Sequence, residues 1–171
     1  MGRYRAPRLL EDNDDIDRFR CRSEEQTLWL RHHARQENAA GASRVRVVTQ
    51  PGSGEVVAYY AWCMASIRIG DAPERLRRGA GRYPQPVALL TRLGVSLDHE
   101  DRGLGAGMLR DVVIRTAELG IDIGCRGLLV HAESDEARRF YLHLIPELEP
   151  SPTDELHLIL LMKDILRTLR G

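Results

Sequence analysis

Three glycines at alternate positions, Gly103, Gly105 and Gly107, follow Arg102 in the stretch DRGLGAGML and run directly into a helical pattern. Glycine is costly at a helix start unless something must come close to the backbone. A strand, a tight turn and a helix start form an anion site, because the unpaired N–H groups of the first turn and the positive end of the helix dipole face the turn. Three phosphate motifs compete for the stretch. A P-loop needs Gly-Lys-Ser/Thr, whereas Gly107 is followed by Met108. A dinucleotide fingerprint built on Gly103 and Gly105 needs a small residue where Met108 stands, and the preceding SLDHED is no Rossmann strand end. The third motif, Arg/Gln-x-x-Gly-x-Gly/Ala, cradles a pyrophosphate and is met by Arg102, Gly105 and Gly107. Taken alone, so short a match also suits a purely structural glycine turn.

Other chemistry-bearing residues are sparse. His32, His33, His99, His131, His143 and His157 show no metal-ligand spacing and read as structural or surface residues. Cys21, Cys63 and Cys125 are odd in number and scattered, which suits neither a disulfide framework nor a zinc site and points to a reducing cytoplasm. Tyr141 follows Phe140 in ARRFYLHL, a pair that by itself fits a core-facing helix. No carboxylate stands out as a buried base.

Basic and acidic residues balance at 25 each, so no global field announces a nucleic acid. All the basic residues but Lys163 are arginine. Between Ser66 and Arg92, Arg68, Arg75, Arg77, Arg78, Arg82 and Arg92 face only Asp71 and Glu74. That excess is either a solvated loop or a contact surface for a polyanion.

The elements that must position these residues alternate between helix and strand. EDNDDIDRFRC predicts a short first helix. Ser23, with Gln26 three residues on, forms a capping box for a second helix that stops near Gly41. SRVRVVTQ and VVAYYAWCMASI, joined by PGSGE, read as a hairpin. DAPERLRRGAGRYPQ is an excursion from the sheet, and PVALLTRLGVS is the strand that leads to the glycine turn. AGMLRDVVIRTAEL repeats its apolar residues at helical spacing. CRGLLVHA, DEARRFYLHL and LHLILLMKDI then predict strand, helix and a closing strand. The chain fits a single domain, 1–171, of mixed α/β class. No apolar run approaches membrane-spanning length, and MGRYRAPRLLEDNDD turns acidic where a signal peptide needs its apolar segment. Ala6 stands where a myristoylation signal needs Ser or Thr.

The run LLTRLGVSLDHEDRGLGAGMLRDVV resembles the acetyl-CoA-binding core of the GNAT acetyltransferase superfamily, and the order of elements agrees along nearly the whole chain. The resemblance implies a GNAT fold, a central mixed, mostly antiparallel twisted sheet of about six to seven strands flanked by about four helices. It implies acetyl-CoA as cosubstrate and no metal. Leu93, Gly94 and Val95 would be the edge that binds the pantetheine arm. Arg102, Gly103, Leu104, Gly105, Ala106 and Gly107, running into Met108, would bind the pyrophosphate. Tyr141 would lie near the thioester sulfur as general acid to the departing thiolate, with the Val95 N–H as oxyanion donor.

RFRCRSEEQTLWLRHHARQENAAGASRVRVV, together with EVVAYYAWCMASI, LLTRLGV and SPTDELHLILLMKDI, is similar to GNAT toxins of type II toxin–antitoxin modules, the TacT/AtaT-like group. That narrower resemblance implies acetylation of the α-amino group of an aminoacyl-tRNA, a block of translation, a ribbon-helix-helix antitoxin and a homodimer. Such an acceptor makes few demands on a base: a free α-amino group titrates at about 7.7–8.0 and an adjacent ester lowers it further. Arg75, Arg77, Arg78, Arg82 and Arg92, with Arg44 and Arg46 as further candidates, would meet the tRNA phosphates. Two departures bear on the acceptor pocket: Arg22 replaces a family glycine, and Ile145-Pro146 replaces a Gly-Phe pair, so that LHLIPELEP connects the last helix and strand differently. A small-amine acetyltransferase, acting on a polyamine or antibiotic, and a non-catalytic GNAT-fold regulator remain the alternatives.

Overall fold

The computed structural model describes residues 4–171. In chain order the elements are β1 (Arg8–Leu9), α1 (Glu24–His32), α2 (Ala34–Ala40), β2 (Arg44–Thr49), β3 (Val56–Ile67), α3 (Glu74–Arg77), β4 (Gln85–Val95), α4 (Leu104–Asp122), β5 (Gly127–His131), α5 (Asp135–Leu144), β6 (Glu149–Pro150), β7 (His157–Leu161) and α6 (Met162–Arg170). Short 3-10 turns lie at Ile69–Asp71 and Leu97–His99. The strand order is β1-β2-β3-β4-β5-β7-β6. β4 and β5 run parallel, while β1–β2, β2–β3, β5–β7 and β6–β7 are antiparallel. This is the mixed, mostly antiparallel α/β architecture expected, with six helices among the described residues, more than the resemblance implies.

The chain forms two compact units, Met1–Cys63 with Thr91–Asp111 and Met64–Leu90 with Val112–Gly171. In the first, β2 alternates: Val45 and Val47 are fully buried, while Arg44 and Arg46 take the opposite face. Tyr59 anchors this core. Its ring takes Phe19 edge-on at 5.4 Å and stacks on Trp29 at 6.0 Å, and its hydroxyl donates to the Gln26 carbonyl at 2.6 Å. In the second unit Ile67, Ala72, Leu76, Val87, Leu129, Ile159 and Leu161 make the core.

Three expectations about elements are corrected. Residues 11–21 form turns instead of a helix. The Asp14 carboxylate accepts from the Glu11 N–H at 2.8 Å and from Arg8 at 2.7 Å, and Asp15 accepts from the Asp17 N–H at 3.1 Å. Such local side-chain bonds compete with a helix ladder. Ile16 and Phe19 are buried all the same, each worth about 1.5–3 kcal/mol. The second helix is broken at His33 (φ −124°, ψ −24°) into α1 and α2. Its ends are as expected: Ser23 accepts from the Gln26 N–H, and Gly41 closes α2 at φ 78°. LHLILLMKDI is not one strand. β7 ends at Leu161 and α6 begins at Met162; Asp164 and Ile165 are both buried, and the Asp164 carboxylate accepts from Arg75 and, within α6, from Arg167.

Candidate active site

β4 delivers the chain to the glycine turn. Its parallel ladder with β5 covers Ala88–Leu90, and Thr91–Val95 continue past it. Leu93 and Val95 are half-buried. Gly94 is bare for a reason internal to the core: a Cβ there would lie 3.1 Å from Tyr59, 3.2 Å from Cys21 and 3.3 Å from Phe19. Beyond β4, the Ser96 N–H bonds the Val57 carbonyl and the Leu97 N–H bonds the Arg20 carbonyl, which fixes the start of the connection.

The turn itself is a left-handed reversal. Asp101 has φ 62° and Gly103 φ 82°, a backbone that glycine adopts freely and aspartate tolerates. α4 starts at Leu104, and the Gly107 N–H bonds the Gly103 carbonyl at 3.0 Å. Leu104, Met108 and Leu109 are buried and hold the turn, while Arg102, Gly103, Ala106 and Gly107 are exposed. A Cβ at Gly103 or Gly107 would meet nothing within 4 Å. Gly103 is explained by its left-handed backbone, but Gly107 has neither such a backbone nor a packing contact to require it, in contrast to Gly94. First-turn N–H groups, a helix dipole, an arginine and bare backbone suit a pyrophosphate. Glu100, which would oppose an anion here, is held by Arg22 at 2.7 Å. Arg22, a departure from the family pattern, thus has a place at the turn.

Tyr141 lies on α5, whose start is capped by Ser134 accepting from the Ala137 N–H at 3.2 Å. The tyrosine is 8% exposed and meets Phe140 edge-on at 5.3 Å. Burial, reinforced by the negative charge of Glu133, pushes its phenol well above the usual range. It is therefore protonated throughout the neutral range. After α5, Ile145 caps the helix and Pro146 prevents its continuation. LHLIPELEP then returns through β6, which pairs with β7 at Glu149↔Ile159 and Pro150↔Leu158.

The arginines separate into distinct environments. Arg75 is engaged within the protein: it donates to Asp164 at 2.9 and 3.0 Å and to Glu149 at 2.7 Å. The Asp164 side chain is 1% exposed, also accepts from Arg167, and is held below the usual carboxylate range chiefly by Arg75. Arg77 and Arg82 are exposed, and Arg78 meets Glu74 at 3.3 Å in a solvent-facing pair. Gln85 donates to the Ala80 and Tyr83 carbonyls and accepts from Arg126 at 2.6 Å, which pins the base of their loop. Arg92 pairs with Glu25 at 2.8 Å and lies 5.5 Å over the Trp29 ring. Arg44 donates to the Asn38 carbonyl, and the buried Nε of Arg46 has no hydrogen-bond partner.

Four residues escaped the sequence reasoning. Tyr83 is 80% exposed among the loop arginines, and an aromatic interleaved with arginines was the signal for it. Asp164 lies in α6, in a stretch whose apolar run predicts strand. His99 is buried next to the turn, and Tyr4 reaches it from a position that no local pattern marks. Among the described residues no group of three or more His, Cys, Asp or Glu could hold a metal ion, and no helix is long and apolar enough to cross a membrane.

No protein-family model matches the chain. A tRNA-acetylating toxin of Mycobacterium tuberculosis (strain ATCC 25618 / H37Rv) is 43% identical over 164 residues, covering 96% of each protein. The structure of AtaT complexed with acetyl-methionyl-tRNAfMet aligns with a TM-score of 0.87 at 21% identity, over 96% of this chain and 98% of that one. A point mutant of AtaT bound to the C-terminus of the antitoxin AtaR and to acetyl-CoA aligns with a TM-score of 0.80 at 21% identity, over 97% and 98%. At that identity the two structures establish the fold.

Proposed function

This chain belongs to the family of tRNA-acetylating GNAT toxins, and from that premise we propose that it transfers the acetyl group of acetyl-CoA to the α-amino group of an aminoacyl-tRNA, blocking translation. The observation that carries the proposal is the turn Arg102–Gly107, in which Gly107 is bare with neither a left-handed backbone nor a packing contact to require it, and which opens α4 toward solvent. Acetyl-CoA supplies an activated thioester. Arg102 and the N–H groups of Gly103, Leu104, Gly105 and Ala106 bind its pyrophosphate, with the bare Cα of Gly107 ahead of Met108 letting it approach, since the Gly107 N–H is already bonded to the Gly103 carbonyl; the backbone of Leu93, Gly94 and Val95 lines the pantetheine arm. The Val95 N–H steadies the oxyanion.

Tyr141 supplies the proton that the leaving sulfur takes up, while the attacking amine loses its proton to solvent, so the phenol is restored from water. Its raised pKa keeps the proton in place until thiolate develops. The family acceptor is already substantially neutral near pH 7, so the lack of a dedicated base is no obstacle.

Arg77, Arg78 and Arg82 are the phosphate-facing arginines of the tRNA surface, and the Tyr83 ring is available for stacking on an unpaired base. Exposure of the Arg78–Glu74 pair makes it weak enough to be exchanged for a phosphate. Arg75 leaves this surface and holds α3 to Asp164 instead; Arg92 acts from beside Trp29. The reading extends to residues 1–171 as one transferase domain, a cytoplasmic homodimer neutralised by a ribbon-helix-helix antitoxin.

The test is label transfer from radiolabelled acetyl-CoA to charged total tRNA, the same tRNA deacylated, and a polyamine mixture. Label entering only charged tRNA is expected. Label entering polyamines makes the protein a metabolic acetyltransferase, and binding of acetyl-CoA without transfer makes it a regulator.

A further inference from the structure

Arg102 is tied into a three-residue relay at the head of the turn. Its Nη1 donates to the phenolic oxygen of Tyr4 at 3.2 Å and lies 3.5 Å from Nδ1 of His99, and the Tyr4 hydroxyl shares a 2.6 Å hydrogen bond with that same Nδ1. For Nδ1 to accept, the imidazole carries its proton on Nε2. The Tyr4 and His99 rings meet edge to face, with centroids 5.8 Å apart and planes at 69°. His99 is 8% exposed, and its backbone N–H bonds the Ser96 carbonyl at 2.9 Å. The acceptor that ends the relay is therefore fixed, and Tyr4 reaches it across a sequence separation of 95.

We propose that Tyr4 and His99 are positioning residues for Arg102, and that the relay holds its guanidinium ready for the pyrophosphate of acetyl-CoA. The inference rests on the reading of Arg102–Gly107 as the pyrophosphate turn. An exposed arginine has many rotamers to lose when it meets a phosphate, and restraint beforehand removes part of that cost. A guanidinium has five N–H donors in a planar fork, so the engagement of Nη1 with Tyr4 and His99 leaves Nη2 and Nε for phosphate oxygens. The nearby Glu100 carboxylate does not compete for Arg102, because Arg22 holds it at 2.7 Å. Tyr4 itself need not touch the ligand; it acts through Arg102.

The experiment is calorimetric titration of the full chain with acetyl-CoA and with acetyl-pantetheine, which lacks the pyrophosphate. Tyr4→Phe removes one hydroxyl and keeps the ring; it should weaken acetyl-CoA binding about three- to tenfold and leave acetyl-pantetheine binding unchanged. In an Arg102→Gln background Tyr4→Phe should have no further effect. His99→Asn, whose side-chain oxygen approximates Nδ1, should retain most of the affinity, whereas His99→Gln should not. Unchanged acetyl-CoA affinity in Tyr4→Phe, equal losses for both ligands, or full additivity with Arg102→Gln would each overturn the positioning role. If Arg102→Gln itself leaves acetyl-CoA binding intact, the pyrophosphate reading falls, and the inference with it. If Arg102→Gln weakens binding and Tyr4→Phe does not, only the inference falls.

Discussion

Gly107→Ala separates the needs of the fold from those of the ligand. Gly107 lies in the first turn of α4, outside the left-handed region, and a Cβ there meets nothing within 4 Å. Replacing a helical glycine by alanine is worth about 0.5–1 kcal/mol, chiefly through the entropy of the unfolded chain. For a chain of this size that raises Tm by about 1–4 °C. Gly94→Ala has the opposite sign. Its Cβ would sit 3.1, 3.2 and 3.3 Å from Tyr59, Cys21 and Phe19, closer than ordinary contact, in a packed core. Overpacking of this kind costs about 1–3 kcal/mol, or about 2–12 °C in Tm. If Gly107 is bare so that a phosphate can approach the backbone, alanine should weaken acetyl-CoA binding by about tenfold or more even as the protein gains stability. Thermal unfolding without ligand and calorimetric titration with acetyl-CoA read the two effects separately. A more stable Gly107→Ala variant with unimpaired acetyl-CoA affinity would refute the reasoning and leave a merely structural turn.

Tyr141→Phe should lower kcat for charged tRNA by about 10²–10⁴ while acetyl-CoA affinity stays close to wild type, as steady-state kinetics beside a binding titration would show; equal kcat would remove the tyrosine from the chemistry. Because burial and Glu133 raise the Tyr141 phenol, the wild-type rate should not fall through loss of that proton between neutral pH and about pH 9. Arg77→Gln with Arg78→Gln should raise KM for charged tRNA and reduce the salt slope of tRNA binding by about two, with KM for acetyl-CoA unchanged. Tyr83→Ala should raise KM for charged tRNA by about tenfold and Tyr83→Trp should not, since the stacking surface remains. Asp164 has its pKa depressed by Arg75, so its contribution is complete above the carboxyl pKa of the unfolded chain and is lost as pH falls through the folded value. Tm of wild type should therefore exceed that of Asp164→Asn most at neutral pH, the gap closing in acid; a pH-independent gap would contradict the ion-pair account.

Sequence reasoning reached furthest where local chemistry decides structure. The capping pair Ser23–Gln26, the stop at Gly41 and the hairpin of β2 and β3 depend on neighbouring residues alone, and the structure has all three. The glycine turn leading into α4 was legible because a left-handed backbone such as that of Gly103 writes itself into residue type. The misjudged elements depend on partners far along the chain. Asp164 opens α6 beneath an arginine 89 positions earlier, and nothing in MKDI signals that contact. Arg75 resembled its exposed neighbours in sequence and differs from them only through Asp164 and Glu149. The acidic run before Phe19 has helix-capping composition, yet its carboxylates bond their own backbone and Arg8 instead. Distance also hid the relay, since neither Tyr4 nor His99 carries a pattern that points to the other.

The most direct measurement is the position of the transferred acetyl group. Charged tRNA incubated with the protein and acetyl-CoA would be digested to nucleosides, and the aminoacyl-adenosine from its 3′ end examined by tandem mass spectrometry. The account predicts one acetyl group on the α-amino nitrogen of the amino acid, absent when tRNA is deacylated beforehand. Acetyl on a nucleobase, or an unmodified aminoacyl-adenosine alongside acetylated polyamine, would contradict it.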